Sequence, residues 1–139
     1  MFLLERTEHK PKATPVGPGP KGITEYAIRV TRELLPYLKW PRSFGKAMVW
    51  DGISIEAVDG GKVKVEKFMD FVEGGHDVVY NFIPKKTIWI DGRLDISQRG
   101  FVLLHELVER KMMGKHGMSY SKAHPISNHY EKLLRMGRL

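Results

Sequence analysis

The sequence predicts a small α+β domain in which an N-terminal helix and a small antiparallel sheet precede two C-terminal helices. Apolar residues recur at helical spacing near both ends of the chain, whereas residues 47–90 are rich in β-branched and aromatic residues typical of strands. The chain has 139 residues, of which 42% are hydrophobic, and this suits a single domain with a packed core. We assign residues 21–139 to that domain. Residues 1–20 hold four of the eight prolines and are expected to form a flexible arm.

The first helix is expected between Ile23 and Leu38, where apolar residues recur every three or four positions. Thr24 is a candidate cap at its start. Pro36 predicts that the last turn is kinked or already over, because proline disfavours helical geometry in the residue before it. The spacing alone therefore predicts one amphipathic helix that buries a single face.

The middle of the chain is expected to form about four antiparallel strands. Asp-Gly-Gly at 59–61 predicts a hairpin turn between strands over 47–58 and 62–72, and Gly-Gly at 74–75 predicts a break. Strands should follow over 77–83 and 87–90. The last of these, with the sequence TIWI, carries the strongest strand signal.

Two helices should complete the domain. Asp95, with Gln98 three residues later, fits a capping box, and the helix should extend to about Met113 before Gly114. A final helix is expected over 120–136, capped by Ser119 or Ser121. Its regular part should begin near Pro125, because proline is best tolerated in a first turn.

Composition restricts the function classes. The formal net charge is +7 with a pI near 9.7, which fits a protein that contacts nucleic acid, although the basic residues are dispersed. There is no cysteine, so a transition-metal site must use His, Asp or Glu. No apolar run approaches the ~20 residues of a membrane span. We therefore expect a cytoplasmic protein with no membrane partner; its oligomeric state is not specified.

The segment LLHELVERKMMGKHG, residues 103–117, places ionisable side chains inside an apolar helix. On a helical wheel His105 and Glu109 share one face among apolar neighbours, and Glu106 lies at its edge. A buried carboxylate is costly unless it is paired, and side chains four residues apart can bind one ion. A divalent cation would offset this cost, and His124 in the following helix is the candidate third ligand.

Three further side chains are candidates for the same site. His76 follows two glycines between predicted strands, Tyr120 precedes His124, and Glu131 should share a helix face with His124. Other interpretations stay open: His105 could be a core histidine bonded to a backbone carbonyl, and Glu109 could pair with Arg135. His76 could equally occupy a turn, and Glu106 could be solvated.

The motif HELVE, after the strand TIWID and before a second ligand-bearing helix, resembles the core of zincin metallopeptidases. More narrowly, residues 70–131 resemble a group of small zincin-like proteins from prokaryotes and their viruses. The resemblance implies a zincin-like minimal core with zinc bound by His105 and the third-ligand candidate His124. It also implies that Glu106 is the general base and that TIWI is an edge strand that aligns a peptide or protein substrate.

One position departs from that pattern, because Glu109 stands where HExxH has its second histidine. A carboxylate can also bind zinc, and the His, Glu, His set could shift the preference toward iron or manganese. The leading hypothesis is a metallopeptidase. The alternatives are a protein stabilised by a non-catalytic metal and a nucleic-acid or virus-associated binding protein.

Overall fold

The computed structural model describes residues 19–67 and 71–139, so that almost all of the predicted arm lies outside the described residues. The fold is α+β, with an N-terminal helix, a four-stranded sheet and two C-terminal helices, as predicted. The helices and strands, in chain order, are α1 (Ile23–Arg29), β1 (Gly45–Trp50), β2 (Ile53–Val58), α2 (Gly60–Glu66), β3 (Gly74–His76), β4 (Thr87–Asp91), α3 (Ile96–His116) and α4 (Tyr120–Arg135).

The first helix changes geometry before its proline. After α1 the chain forms a π-helical turn (Val30–Leu34) and a 3-10 turn (Leu35–Tyr37), and Leu38 is extended. Pro36 lacks an amide hydrogen and its ring crowds the preceding turn, which accounts for the irregular end. The helix is therefore confirmed, but Gly22 rather than Thr24 occupies the capping position.

The first hairpin turns at a different Asp-Gly pair from the predicted one. Asp51 and Gly52 have positive φ values of 53° and 77°, which a type I′ turn requires at both central residues. This turn joins β1 and β2 in antiparallel register. The prediction of one strand over 47–58 is wrong for this reason.

Asp-Gly-Gly at 59–61 begins α2 instead of a turn. The Asp59 side chain accepts hydrogen bonds from the amides of Gly61 and Lys62, so it acts as a helix N-cap. Gly60 is required because a Cβ there would lie 2.1 Å from a carboxylate oxygen of Asp91. The predicted strand over 62–72 is therefore wrong, since its first part is helical.

The strand predicted over 77–83 is a series of turns. The amides of Val79 and Tyr80 both bond to the carbonyl of His76, which folds the chain back on itself. The predicted break at Gly74 is in fact the start of β3. A Cβ on Gly75 would lie 2.6 Å from the Tyr80 ring, so this glycine permits a close approach.

The sheet is mixed, with strand order β1-β2-β4-β3. β2 and β4 are parallel, whereas the other two pairs are antiparallel. The connection through α2 and β3 brings the chain back to the end of the sheet at which β2 begins. β4 therefore starts beside the start of β2 and runs parallel to it. The wholly antiparallel prediction is wrong for this pair. TIWI is confirmed as a strand, but it lies between β2 and β3 rather than at an edge.

The two long helices, α3 and α4, are regular over more residues than predicted. Asp95 caps α3 by accepting a hydrogen bond from the amide of Ser97, as predicted. The helix continues past Gly114 and ends at Gly117, whose left-handed φ of 65° closes the last turn. Pro125 lies inside α4, where its exposed ring removes only one amide donor from a regular helix that begins at Tyr120.

The core lies between the helices and one sheet face. The side chains of α1, α3 and α4 pack on the apolar face of β2 and β4, and a smaller cluster around Phe71 covers the opposite face. α4 packs along α3, to which a three-residue connection joins it. Within the described residues, no helix combines the length and apolar character needed to cross a bilayer.

Candidate metal centre

The buried ionisable residues lie in the middle of α3, where that helix passes between the sheet and α4. His105, Glu106 and Glu109 are 0%, 1% and 2% exposed. α3 is apolar nearly all round, so these side chains have no route to bulk water along their own helix. α4 supplies His124, which is 8% exposed, and Glu131 on the same face. The predicted convergence of the two helices is therefore observed.

Three donor atoms form a small triangle. The Nε2 atom of His105 lies 3.3 Å from Glu109 Oε2 and 3.2 Å from His124 Nδ1, and the last two atoms are 2.8 Å apart. These atoms come from two helices and three side chains. The convergence of three such atoms on one point is the geometry of a ligand set around a single ion.

The triangle joins one carboxylate oxygen and two imidazole nitrogens, and the hydrogens on the nitrogens decide how these atoms interact. If both imidazole nitrogens carry a hydrogen, both can donate to Oε2 of Glu109, which has two lone pairs. If only one carries a hydrogen, the other nitrogen directs a lone pair toward the carboxylate of Glu109. A cation at the centre would satisfy all three lone pairs together. The three atoms are therefore compatible with hydrogen bonds to Glu109 and also with a set of metal ligands.

The carboxylate of Glu109 is held in its charged form. Burial raises its pKa, but hydrogen bonds with His105, His124 and His76 outweigh burial and hold the pKa well below the usual range. A charged carboxylate with neutral imidazoles is the protonation state that a divalent cation requires of its ligands.

The dimensions of the triangle suit zinc. Zinc–ligand distances of about 2.0–2.1 Å in a tetrahedral site place neighbouring ligand atoms about 3.3 Å apart. Two of the three observed distances, 3.2 and 3.3 Å, match this edge, and the third is 2.8 Å. Three protein ligands also leave a fourth position for water or substrate.

A second carboxylate supports His105 from outside the triangle. Oε1 of Glu131 lies 3.1 Å from Nδ1 of His105, which favours the tautomer with a hydrogen on Nδ1 and a free lone pair on Nε2. Arg135 holds Glu131 through bonds of 3.1 and 2.9 Å and also donates to Gln98. The alternative that Arg135 pairs with Glu109 is therefore wrong, because Arg135 neutralises Glu131 instead.

His76 joins the cluster from β3. Its Nε2 lies 3.0 Å from Oε1 of Glu109, the oxygen that faces away from the triangle. His76, Glu106 and Glu109 each offer a ligand atom, and these atoms lie within 4.8 Å of one another. His76 is 0% exposed, so the interpretation as a surface histidine is wrong, although its carbonyl does accept the hydrogen bonds of the turn that follows. Glu106 is likewise buried at the edge of the triangle and is not a solvated residue.

Tyr120 borders the more exposed side of the site. Its ring stacks on His124 with ring centroids 5.0 Å apart and an interplanar angle of 26°. This contact orients the imidazole whose Nδ1 enters the triangle. All the residues singled out in the sequence are thus gathered around one centre: His76, His105, Glu106, Glu109, Tyr120, His124 and Glu131.

Comparisons with protein-family models, with curated proteins and with solved structures found no match to this chain. The zincin-like resemblance over residues 70–131 therefore stays a prediction, and the site has to be interpreted from its own geometry.

Sequence reasoning missed the chain of contacts that supports the ligands. The bond from Arg135 to Gln98 ties α4 to the first turn of α3, and Arg135 also lies 4.4 Å above the ring of Phe101. The only signal was the four-residue spacing of Glu131 and Arg135, which is typical of a surface ion pair. Nothing in that spacing indicates that the carboxylate also reaches a buried histidine.

Proposed function

We propose that this protein is a metal-dependent hydrolase that cleaves peptide bonds, with a cation held by His105, Glu109 and His124. The single observation that carries the proposal is the triangle of ligand atoms 2.8–3.3 Å apart beside a further buried carboxylate, Glu106. Zinc fits the donor distances, and iron or manganese fits the mixed histidine and carboxylate set.

Glu106 is the proposed general base. A cation bound at the triangle would polarise a water molecule and a substrate carbonyl. Glu106 is outside the triangle, but it lies within ligand-atom reach of Glu109, which is where a base must be to stay close to that water. It would take a proton from the water and deliver it to the leaving amine.

Substrate access is restricted to one side. Among the three triangle residues His124 is the most exposed, and Tyr120 beside it is half-buried. A peptide would therefore approach over the first turn of α4. The phenol of Tyr120 borders this route and is placed to donate a hydrogen bond to the carbonyl of a bound substrate. The narrow opening favours a single extended segment over a bulky folded protein.

The near-complete burial of the ligands favours a second candidate function. Structural metal sites are closed, whereas catalytic sites keep one position open to substrate. Ligands that are 0–8% exposed would suit a cation that only stabilises the packing of α3 on α4. This candidate predicts metal binding and metal-dependent stability without hydrolysis of any substrate.

The test compares metal content and turnover in three variants. Glu106→Gln should keep about one metal per chain and lose peptide cleavage, because the base is removed and the triangle is left intact. His105→Ala should lose both. Glu25→Gln, which removes a carboxylate from the exposed side of α1, is the matched control and should keep both. Mass spectrometry would give the metal content, and a library of fluorogenic peptides would report cleavage.

Each outcome separates the two candidates. Metal that is retained without cleavage in any variant, wild type included, would overturn the hydrolase proposal and favour the structural site. Cleavage retained in Glu106→Gln would overturn the base assignment. Metal content unchanged in His105→Ala would show that the cation binds elsewhere.

A further inference from the structure

His76 is a buried histidine that the proposed reaction does not use. It ends β3, is 0% exposed, and directs Nε2 at Oε1 of Glu109, 3.0 Å away. Its other ring nitrogen, Nδ1, has no hydrogen-bond partner among the described residues. If the hydrogen is on Nδ1, then that donor is unsatisfied and Nε2 directs a lone pair at a carboxylate. If it is on Nε2, then Nδ1 is a buried acceptor without a donor, so either tautomer is costly.

The two oxygens of Glu109 face different partners. Oε2 belongs to the triangle with His105 and His124, while Oε1 faces His76. A carboxylate whose oxygens point to two separate groups of ligands can bridge two cations, which in such sites lie about 3.5–4 Å apart. The second group is complete in its own right, because His76, Glu106 and Glu109 bring ligand atoms within 4.8 Å of one another.

The charges set the order in which two cations would bind. Glu106 and Glu109 are both buried, and Glu131 is already neutralised by Arg135. One divalent cation would balance the charge of the two remaining carboxylates, which are costly to bury. A second divalent cation would enter a neutral site beside the first, so electrostatic repulsion makes its binding weaker.

We propose that His76, Glu106 and Glu109 form a second, weaker site for a divalent cation, which shares Glu109 with the first. The binding itself does not depend on hydrolysis. Its consequence rests on the proposed function: Glu106 acts as the general base when only the first site is filled and as a cation ligand when both are filled. Excess metal therefore inhibits the protein by occupying its general base.

The test is a titration of metal-free full-length protein with Mn²⁺. Equilibrium dialysis should give about two equivalents per chain, the second weaker than the first, and paramagnetic resonance should show exchange coupling between two bridged ions as the second one binds. His76→Ala should bind about one equivalent without coupling. His76→Phe keeps a ring in the core and should also bind about one equivalent without coupling. It provides a second test if His76→Ala does not fold. His116→Ala, which removes an exposed histidine from the end of α3, is the matched control and should bind two.

The outcomes distinguish this site from the first one. One equivalent in both wild type and His76→Ala would overturn the second site and leave the proposed hydrolase intact. Two equivalents in both would also overturn it, because the second cation would then bind away from His76. No binding in wild type would overturn both proposals. If cleavage is measurable, excess Mn²⁺ should inhibit wild type but not a folded His76→Phe variant, and equal inhibition of the two would contradict the regulatory role.

Discussion

Two buried charged groups on α3 differ in how their neighbours satisfy them. Arg99, in the first turn, is 2% exposed and donates to four backbone carbonyls, those of Pro41, Arg42, Gly92 and Leu94. The cluster around Glu109, three turns further along, brings one carboxylate oxygen and two imidazole nitrogens within 2.8–3.3 Å of one another. Both groups are costly to bury, but backbone carbonyls hold the first, whereas ionisable side chains surround the second.

This difference distinguishes a buried charge held by the backbone from one surrounded by possible metal ligands. The guanidinium of Arg99 ties the end of β4 and the segment after Trp40 to the start of α3, and it needs nothing from outside the chain. The cluster is built from side chains that could also hold a divalent cation. Burial alone therefore does not identify a candidate site; the chemistry of the neighbouring side chains is needed as well.

The largest expected effect comes from the satisfied group. Arg99→Ala would remove the buried guanidinium that donates to four backbone carbonyls, so the free energy of unfolding should fall by about 3–5 kcal/mol. Urea unfolding followed by circular dichroism measures this loss, and Arg32→Ala, an exposed residue near α1, is the control. The loss should be the same with and without a chelator. A loss that appears only in the presence of metal would contradict the structural role of Arg99.

The cluster should show the opposite dependence. Metal at about a hundredfold excess over its dissociation constant should raise the free energy of unfolding by about 2.7 kcal/mol, because the cation binds only the folded arrangement of ligands. EDTA should remove this increment from wild type. In His105→Ala there should be no increment to remove, whereas Arg32→Ala should retain it in full. Identical unfolding curves for wild type with and without EDTA would show that the cluster is satisfied internally.

The sequence predicted the helices and the site better than it predicted the sheet. Helical periodicity is repeated over several turns, so α1, α3 and α4 were recognisable, and the four-residue spacing of His105 and Glu109 placed both on one buried face. His124 was expected to join them because a short connection brings the two helices together. These predictions depend on local geometry, which a single sequence records directly.

The errors arose where distant parts of the chain decide the structure. The chain contains Asp-Gly three times, at 51–52, 59–60 and 91–92, and the second pair starts a helix where Gly60 packs against the distant Asp91. The alternating segment after it is helical because Val63 is buried in the smaller core, which outweighs strand propensity. His76 was undervalued for the same reason: its partner Glu109 is 33 residues away, and no local pattern records that contact.

The smallest expected effect tests the outer support of the ligands, and the chain provides a matched control. Glu131 and Glu33 each pair with an arginine four residues away on a helix, but only Glu131 also lies beside His105. Glu131→Gln should lower the affinity for zinc about 10- to 100-fold, because the amide orients the imidazole and supports its basicity less well. Glu33→Gln removes an equivalent ion pair and should leave the affinity unchanged. Competition against a fluorescent zinc chelator measures both variants. Equal zinc affinities for the two variants would mean that Glu131 acts only as a surface partner of Arg135 and does not support the proposed ligand His105.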